Sequence, residues 1–268
     1  MLIDAFLFFN EHELLRVRLD YLGHDVDRFV IVESEFDFAG RRKATHLTKE
    51  YLQSLPYAEK IQALSWRPSA LQRIVIEVAR TSKRSNLLWM IQNWQRNAVL
   101  DLMRDLRSDD IILFGDLDEF PSRDSLNEIR ERVMPDDQLL GFEQKLFYYN
   151  LSNLVQIDWR GTAVCNYRTF RKVTPKYVRK LRNSIPIVGS GWHFSYFTEP
   201  MRIREKIAAT ASVERQEFAM KLNQEEIADR VAGGLDIYER ARFRRVDTEK
   251  LIPKSLRTSF ERFLPASL

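Results

Sequence analysis

Three carboxylates fall within four positions in Asp116-Leu117-Asp118-Glu119, between Gly115 and Phe120-Pro121. The apolar run Ile111-Ile112-Leu113-Phe114 before them has the pattern of a strand buried on both faces of a parallel sheet. Pro121 cannot extend a central strand. Carboxylates two apart at a strand end point the same way, into the crevice on which the strand opens. The pair Asp116 and Asp118 offers hard oxygen ligands for Mg²⁺ or Mn²⁺, which then bridges to phosphate oxygens. The plainer alternative is an acidic turn that merely ends a strand. A second stretch, Gly189-Ser190-Gly191-Trp192-His193-Phe194-Ser195, sets a histidine among glycines and aromatics. His193 is either a hydrogen-bonded core histidine or a further Mn²⁺ ligand.

Patterning predicts the elements that must hold these groups. Residues 2–9 are nearly all apolar and predict the first strand. Asn10 followed by Glu13 predicts a capping box opening a helix to about Leu22, with Leu15, Leu19 and Leu22 as its buried stripe. Phe29-Val30-Ile31-Val32 predicts a second strand ending in Glu33-Ser34. This strand–helix–strand opening puts Phe9-Asn10 and Glu33 on the carboxyl edge of the sheet, where α/β proteins bind ligands. Residues 36–48 read as a loop whose basic run Arg41-Arg42-Lys43 is either a solvated face or a phosphate-facing one. A short strand is expected at 61–64.

Leu87, Ile91, Trp94, Ala98, Leu102 and Leu106 recur at helical spacing and predict one helix over 86–106, with Gln92, Gln95, Arg96 and Asn97 on a polar side that is either solvent-exposed or the lining of a polar cleft. Past the acidic turn, a helix is expected over 124–133, a strand over 139–142 with Glu143 at its end, and more sheet at Trp159-Arg160-Gly161 and over 163–170 with a turn between. Phe147-Tyr148-Tyr149 is core or a platform for a sugar face. Thr198 with Pro200 predicts a helix start. Further helices are expected over 224–231 and 234–242, beside Arg240, Arg242, Arg244 and Arg245.

With 268 residues, 44% hydrophobic and 30% charged, the composition is that of an ordinary globular protein with length for a real core. The net charge of +4 admits anionic partners without selecting one. Cys165 is the single cysteine, which excludes an internal disulfide or a cysteine-based zinc site and reads as a small buried hydrophobe. No stretch approaches the roughly 20 apolar residues of a membrane span, and residues 1–9 read as a strand rather than a signal peptide. A cytoplasmic protein is expected, with peripheral contact to the inner face of an anionic membrane through the late arginine cluster as a further expectation. Dinucleotide, P-loop, zinc-hydrolase and Gly-x-Ser-x-Gly signatures are absent, and no nucleic-acid module is recognisable.

Phe9-Asn10-Glu11 with Leu14-Leu15 and Arg18, then Val32-Glu33-Ser34 with Phe38, Gly40 and Lys43, resemble the opening of glycosyltransferase family seventeen, the β-1,4-mannosyl-glycoprotein β-1,4-N-acetylglucosaminyltransferase family. Gln95-Arg96-Asn97, Asp116 to Pro121, Trp159-Arg160-Gly161 and Gly191 to Ser195 resemble its later blocks, in its order. The resemblance implies a GT-A-like (Rossmann-like) α/β fold, a mostly parallel central sheet flanked by helices. One domain is expected, with a core over 1–212 and a helical C-terminal extension over 213–268.

The resemblance further implies an inverting transferase using UDP-N-acetylglucosamine and Mn²⁺ or Mg²⁺. Asp116, Asp118 and His193 would hold metal and diphosphate, and Phe9, Asn10, Glu33, Lys43 and Arg96 would line the nucleotide end. An inverting transfer needs a general base, for which Glu143, Glu119 and Asp158 are the candidates. Glu13 and Arg16 depart from the family's usual acids, and the anchor and stem of its animal members have no counterpart. The expected acceptor is therefore a bacterial or viral surface glycan or a lipid-linked saccharide. Two other readings use the same acids: a metal-dependent phosphohydrolase or nuclease, and a non-catalytic nucleotide-sugar-binding module.

Overall fold

The computed structural model describes residues 1–239 and 243–261. It opens with β1 (Leu2–Phe8), α1 (His12–Leu22), β2 (Arg28–Ser34), α2 (Lys49–Gln53), β3 (Ile61–Trp66), α3 (Ala70–Ser82), α4 (Ser85–Asn97) and β4 (Ile111–Phe114). After the acidic turn come β5 (Glu119–Pro121), α5 (Arg123–Arg130), β6 (Leu140–Tyr148), β7 (Asn153–Asn166), α6 (Tyr167–Val173), α7 (Pro175–Leu181) and β8 (Ile187–Ser195). The chain continues through α8 (Pro200–Ala208), α9 (Val213–Lys221), α10 (Gln224–Gly233), β9 (Arg244–Arg245), α11 (Thr248–Leu251) and α12 (Lys254–Ser259).

The expected α/β architecture, a central sheet flanked by helices, is the one observed. The strand order is β3-β2-β1-β4-β7-β6-β8-β5, with β9 beside β7. Strands β3, β2, β1 and β4 are parallel, so the ends of β1, β2 and β4 share one edge. The second half joins antiparallel to β4 through β7. Residues 149–152 are all that separate β6 from β7, and strands joined so closely must pair antiparallel. Alternation along β1 sends Leu2, Asp4, Phe6 and Phe8 to the face covered by α1 and Ile3 and Ala5 to the other, where Val99, Ile112 and Phe170 pack.

Several local expectations are corrected. Glu11, without a side-chain cap bond, precedes α1, so Asn10 and Glu13 stand one position out of register for a capping box. The helix expected over 86–106 ends at Asn97 and tightens into a 3₁₀ turn over Ala98–Leu102. Val99 and Met103, both off the expected stripe, are drawn into the core there. Strand β6 runs on to Tyr148, so Glu143 is mid-strand and Phe147, Tyr148 and Tyr149 are core. No turn follows Gly161, since β7 runs unbroken through it, and the sheet expected to 170 stops at Asn166, whose side chain accepts from Thr169 N and caps α6. Glu199, not Thr198, precedes α8, with Pro200 in its first turn. Gly234, at φ +60, ends α10 in the left-handed conformation that favours glycine, so no helix runs on from 234. Arg240 and Arg242 lie outside the described residues, whereas Arg244 and Arg245 form the exposed β9.

Candidate active site

The parallel half of the sheet fixes the site. Phe8 pairs with Glu33 and Ala5 with Phe114, so the residues after β1, β2 and β4 converge on one edge. A cavity of about 150 Å³ opens there, walled by Phe9, Glu11, Asp37, Gln92, Asp116, Asp118 and Lys206 among others. A wider cleft of about 610 Å³ adjoins it and shares Phe9, Asp37 and Lys43, adding Asn10, Arg41, Arg42 and Arg204.

Each acid of the turn meets a protein cation. Asp118 Oδ2 accepts from Lys206 Nζ at 2.8 Å, and Asp118 Oδ1 lies 3.3 Å from His193 Nε2. Lys206 also bonds Glu11 at 2.9 Å. Burial pushes the Asp118 carboxyl up, but Lys206 and His193 outweigh it and hold the carboxyl well below its usual range. Burial likewise lowers Lys206, and Asp118 and Glu11 reverse that, so its ammonium is held charged.

Asp116, whose side chain is 41% exposed, accepts from Arg179 at 2.5 Å and lies 3.7 Å from Arg96. Burial raises its pKa, yet the two guanidiniums bring it below the usual range. Burial brings Arg96 down to about 10 against the pull of Asp116. Glu119 is fully buried, takes two bonds from Arg179 and one from Trp159 Nε1, and accepts from the Asp116 backbone N–H.

Asp116, Asp118, Phe9 and Lys43 thus line the cavity, and Asn10 lines the neighbouring cleft. His193 stands behind Asp118 against the Trp159 ring, with Nδ1 buried and unpartnered. Glu33 is sealed: Lys43 Nζ and the backbone N–H groups of His46 and Leu47 take its oxygens, so it shapes the loop and does not line the cavity. Arg96 meets Asp116 from outside the cavity. Glu119 is corrected as a base candidate, since a buried carboxylate clamped by an arginine cannot reach an acceptor. Glu143 pairs with Arg160 at 3.2 Å, and Asp158 is exposed on β7; neither lines the cavity.

Sequence reasoning missed Lys206 and Arg179. Pro175 marks the helix that carries Arg179, and Pro200 the helix that carries Lys206. No local signal points their side chains at Asp116 or Asp118. Gln92 presents a buried side-chain oxygen without a hydrogen-bond partner, on a side chain that walls the cavity. Its neighbour Gln95 is already spent on the Phe36 carbonyl.

Among the described residues no three acids or histidines converge into a metal cage. Mg²⁺ and Mn²⁺ at phosphate sites need none, because one or two carboxylates plus the phosphates suffice. Asp116 and Asp118 share the cavity and are the residues that would supply them. Glu11, Asp116, Asp118 and Glu119 are balanced by Arg96, Arg179, Arg182 and Lys206. A neutral set of this kind fits a divalent ion that arrives with a diphosphate, which brings its own opposite charge.

The profile of glycosyltransferase family 17 matches residues 1–242. The chain belongs to that family. It is a glycosyltransferase, and the phosphohydrolase and binding-module readings fall away. Solved structures similar to this glycosyltransferase include the mannosyltransferase PcManGT from Pyrobaculum calidifontis in complex with GDP-Man and Mn²⁺. That match is 8% identical with a TM-score of 0.41, over 98% of this chain and 73% of that one. Another is the galactosyltransferase LgtC in complex with donor and acceptor sugar analogues, 12% identical with a TM-score of 0.35, over 98% of this chain and 94% of that one. No curated protein matches this family-17 chain.

Proposed function

We propose that this glycosyltransferase moves N-acetylglucosamine from UDP-N-acetylglucosamine to a saccharide hydroxyl, with inversion, on an acceptor carried by lipid or a cell-surface glycan. The observation that carries the reading is one cavity lined by the ionised pair Asp116 and Asp118, the half-buried cation Lys206 and Gln92, whose buried amide oxygen has no partner. Departure of a nucleoside diphosphate builds negative charge, and preorganised cations in a dry site stabilise it. Lys206, with Arg96 and Arg179 behind Asp116, is already placed and cannot relax away. A divalent ion held by Asp116 and Asp118 with the phosphates would add Lewis-acid stabilisation of the same charge. His193 then orients Asp118 from behind.

Gln92 is our candidate for reading the base. Its amide both accepts and donates, which matches the N3–H and O4 edge of uracil. A thermal-shift screen of nucleotide sugars with and without Mn²⁺ tests the donor, since a ligand that binds only the native state raises the melting temperature. The expected result is a UDP-sugar shift that is larger with Mn²⁺ and lost in Gln92→Leu. A larger shift from a guanine or cytosine nucleotide would overturn it.

A further inference from the structure

Arg182 stands beside the acidic turn without a partner of its own. It follows the last residue of α7, three positions after Arg179 and so on the same side of that helix. Its guanidinium is half-buried and lies over the Trp159 ring, 5.2 Å from the centroid. Among the described residues its side chain has no hydrogen bond and no ion pair. The acids whose field it feels, Glu119 and Asp116, are both taken by Arg179. A ring contact leaves the N–H fork unsatisfied, and guanidinium groups drawn out of water are normally paired. The buried Nε of Arg179 lacks an acceptor as well.

The acids and cations around the turn are unevenly divided. Glu11 and Asp118 share Lys206 at the cavity end, with His193 behind. Asp116 and Glu119 face three guanidiniums, those of Arg96, Arg179 and Arg182. The cavity end therefore suits a cation, and the Arg182 end an anion. Neither Arg182 nor Trp159 walls the donor cavity or the wider cleft, so a nucleotide held there leaves this guanidinium open. We propose that Arg182 binds an acidic group, a carboxylate or a phosphate, on the acceptor saccharide. A guanidinium fork matches either group with two parallel hydrogen bonds. That the sugar is an acceptor rests on the function proposed above; the anion site rests on the guanidinium itself.

A structural arginine and a ligand-binding one differ in what their removal does. Burial and the Arg179 charge lower the Arg182 pKa by more than Glu119 and Asp116 raise it, so its surroundings disfavour its charge. Arg182→Met, which can still cover the Trp159 ring, should therefore melt no lower than wild type.

The test is an NMR titration of the full chain, saturated with UDP and Mn²⁺, by glucose, glucuronate and glucose 6-phosphate. At least one charged sugar should bind about tenfold tighter than glucose, the scale of a hydrogen bond to a charged group. Which one it is separates a carboxylate ligand from a phosphate. Arg182→Met should bring that sugar to the level of glucose, and Arg182→Lys should keep part of the preference. The thermal shift from UDP and Mn²⁺ should stay at its wild-type value in both variants. Equal binding of charged and neutral sugars by wild type would overturn the proposal, as would a preference that survives in Arg182→Met. A UDP shift lost in Arg182→Met would also overturn it, because the anion would then be the donor's diphosphate. If wild type shows no UDP shift at all, the donor reading fails, and the same sugar titration without nucleotide decides for or against Arg182 on its own.

Discussion

Arg18 and Asp4 form a fully buried, two-pronged ion pair, at 2.8 and 2.7 Å, beneath the acidic turn. The remaining guanidinium nitrogen of Arg18 donates to the backbone carbonyls of Leu117 and Glu119. A charge on α1, sandwiched near the Phe6 and Phe120 rings, therefore fixes the turn that carries Asp116 and Asp118. Breaking such a pair from one side strands the other charge, whereas replacing both partners is often nearly neutral. Arg18→Met should cost about 3–5 kcal/mol. The double variant Arg18→Met/Asp4→Leu should regain most of that stability in urea unfolding. Transfer should stay depressed in the double variant, because the two carbonyls still lack their donor. Full recovery of transfer would reduce Arg18 to a packing role.

Lys206→Met should expose how the site is balanced. The depressed Asp118 pKa contributes stability that is complete above about pH 4 and fades as pH falls toward its lower folded value. The raised Lys206 pKa contributes stability that is complete below about pH 10 and fades as pH rises further. Between those limits the pair adds no pH dependence. The stability gap between wild type and Lys206→Met should be widest near neutrality and should narrow below about pH 4. Urea midpoints across pH measure it, and a gap independent of acid would mean that Asp118 draws its low pKa from elsewhere.

Asp118→Asn keeps the shape of the side chain and removes its charge. If Asp118 holds the cation that accompanies the diphosphate, kcat should fall at least ~100-fold, the scale of losing one preorganised electrostatic contact. The cooperative shift from Mn²⁺ plus UDP should vanish as well. Mn²⁺ alone should shift wild type little, because the four acids already have four cations. A large shift from Mn²⁺ alone would indicate a preformed cage instead.

Much of this arrangement was legible in the sequence, and the reason is local. Leu2 to Phe8 (apolar but for Asp4), Phe29 to Val32 and Ile111 to Phe114 are short, largely apolar runs mostly buried on both faces, the signature of parallel strands. Once they are strands, Asp116 and Asp118 must open on the same edge as Phe9. Helix α3 also carried a signal that was overlooked, the capping box of Ser69 and Gln72. Lys206 and Arg179 were not legible, because what matters in them is contact across 88 and 63 residues of chain. Periodicity places a residue on a helix face and says nothing of which acid that face will meet. Glu119 was misread for the same reason: its partners Arg179 and Trp159 come from α7 and β7.

Gly191 gives the most direct test of how the second half of the sheet holds the turn. It pairs with Pro121 across the antiparallel β5–β8 contact, two positions along from the pairing of Glu119 with His193. A Cβ built on Gly191 would lie 2.2 Å from the Phe120 carbonyl oxygen, a backbone atom with no freedom to yield. Gly191→Ala must therefore push β5 away from β8, and with it Glu119 from the strand that carries His193. An overpacked site of this kind costs about 1–3 kcal/mol. Thermal unfolding should show that loss, and transfer should fall further than stability does, because the displaced strand begins at the acidic turn. Gly233→Ala serves as the control, since a Cβ there finds only Leu235 side-chain atoms at 3.5 and 3.6 Å. Wild-type transfer in Gly191→Ala would mean that the turn is held from the Arg18 side alone.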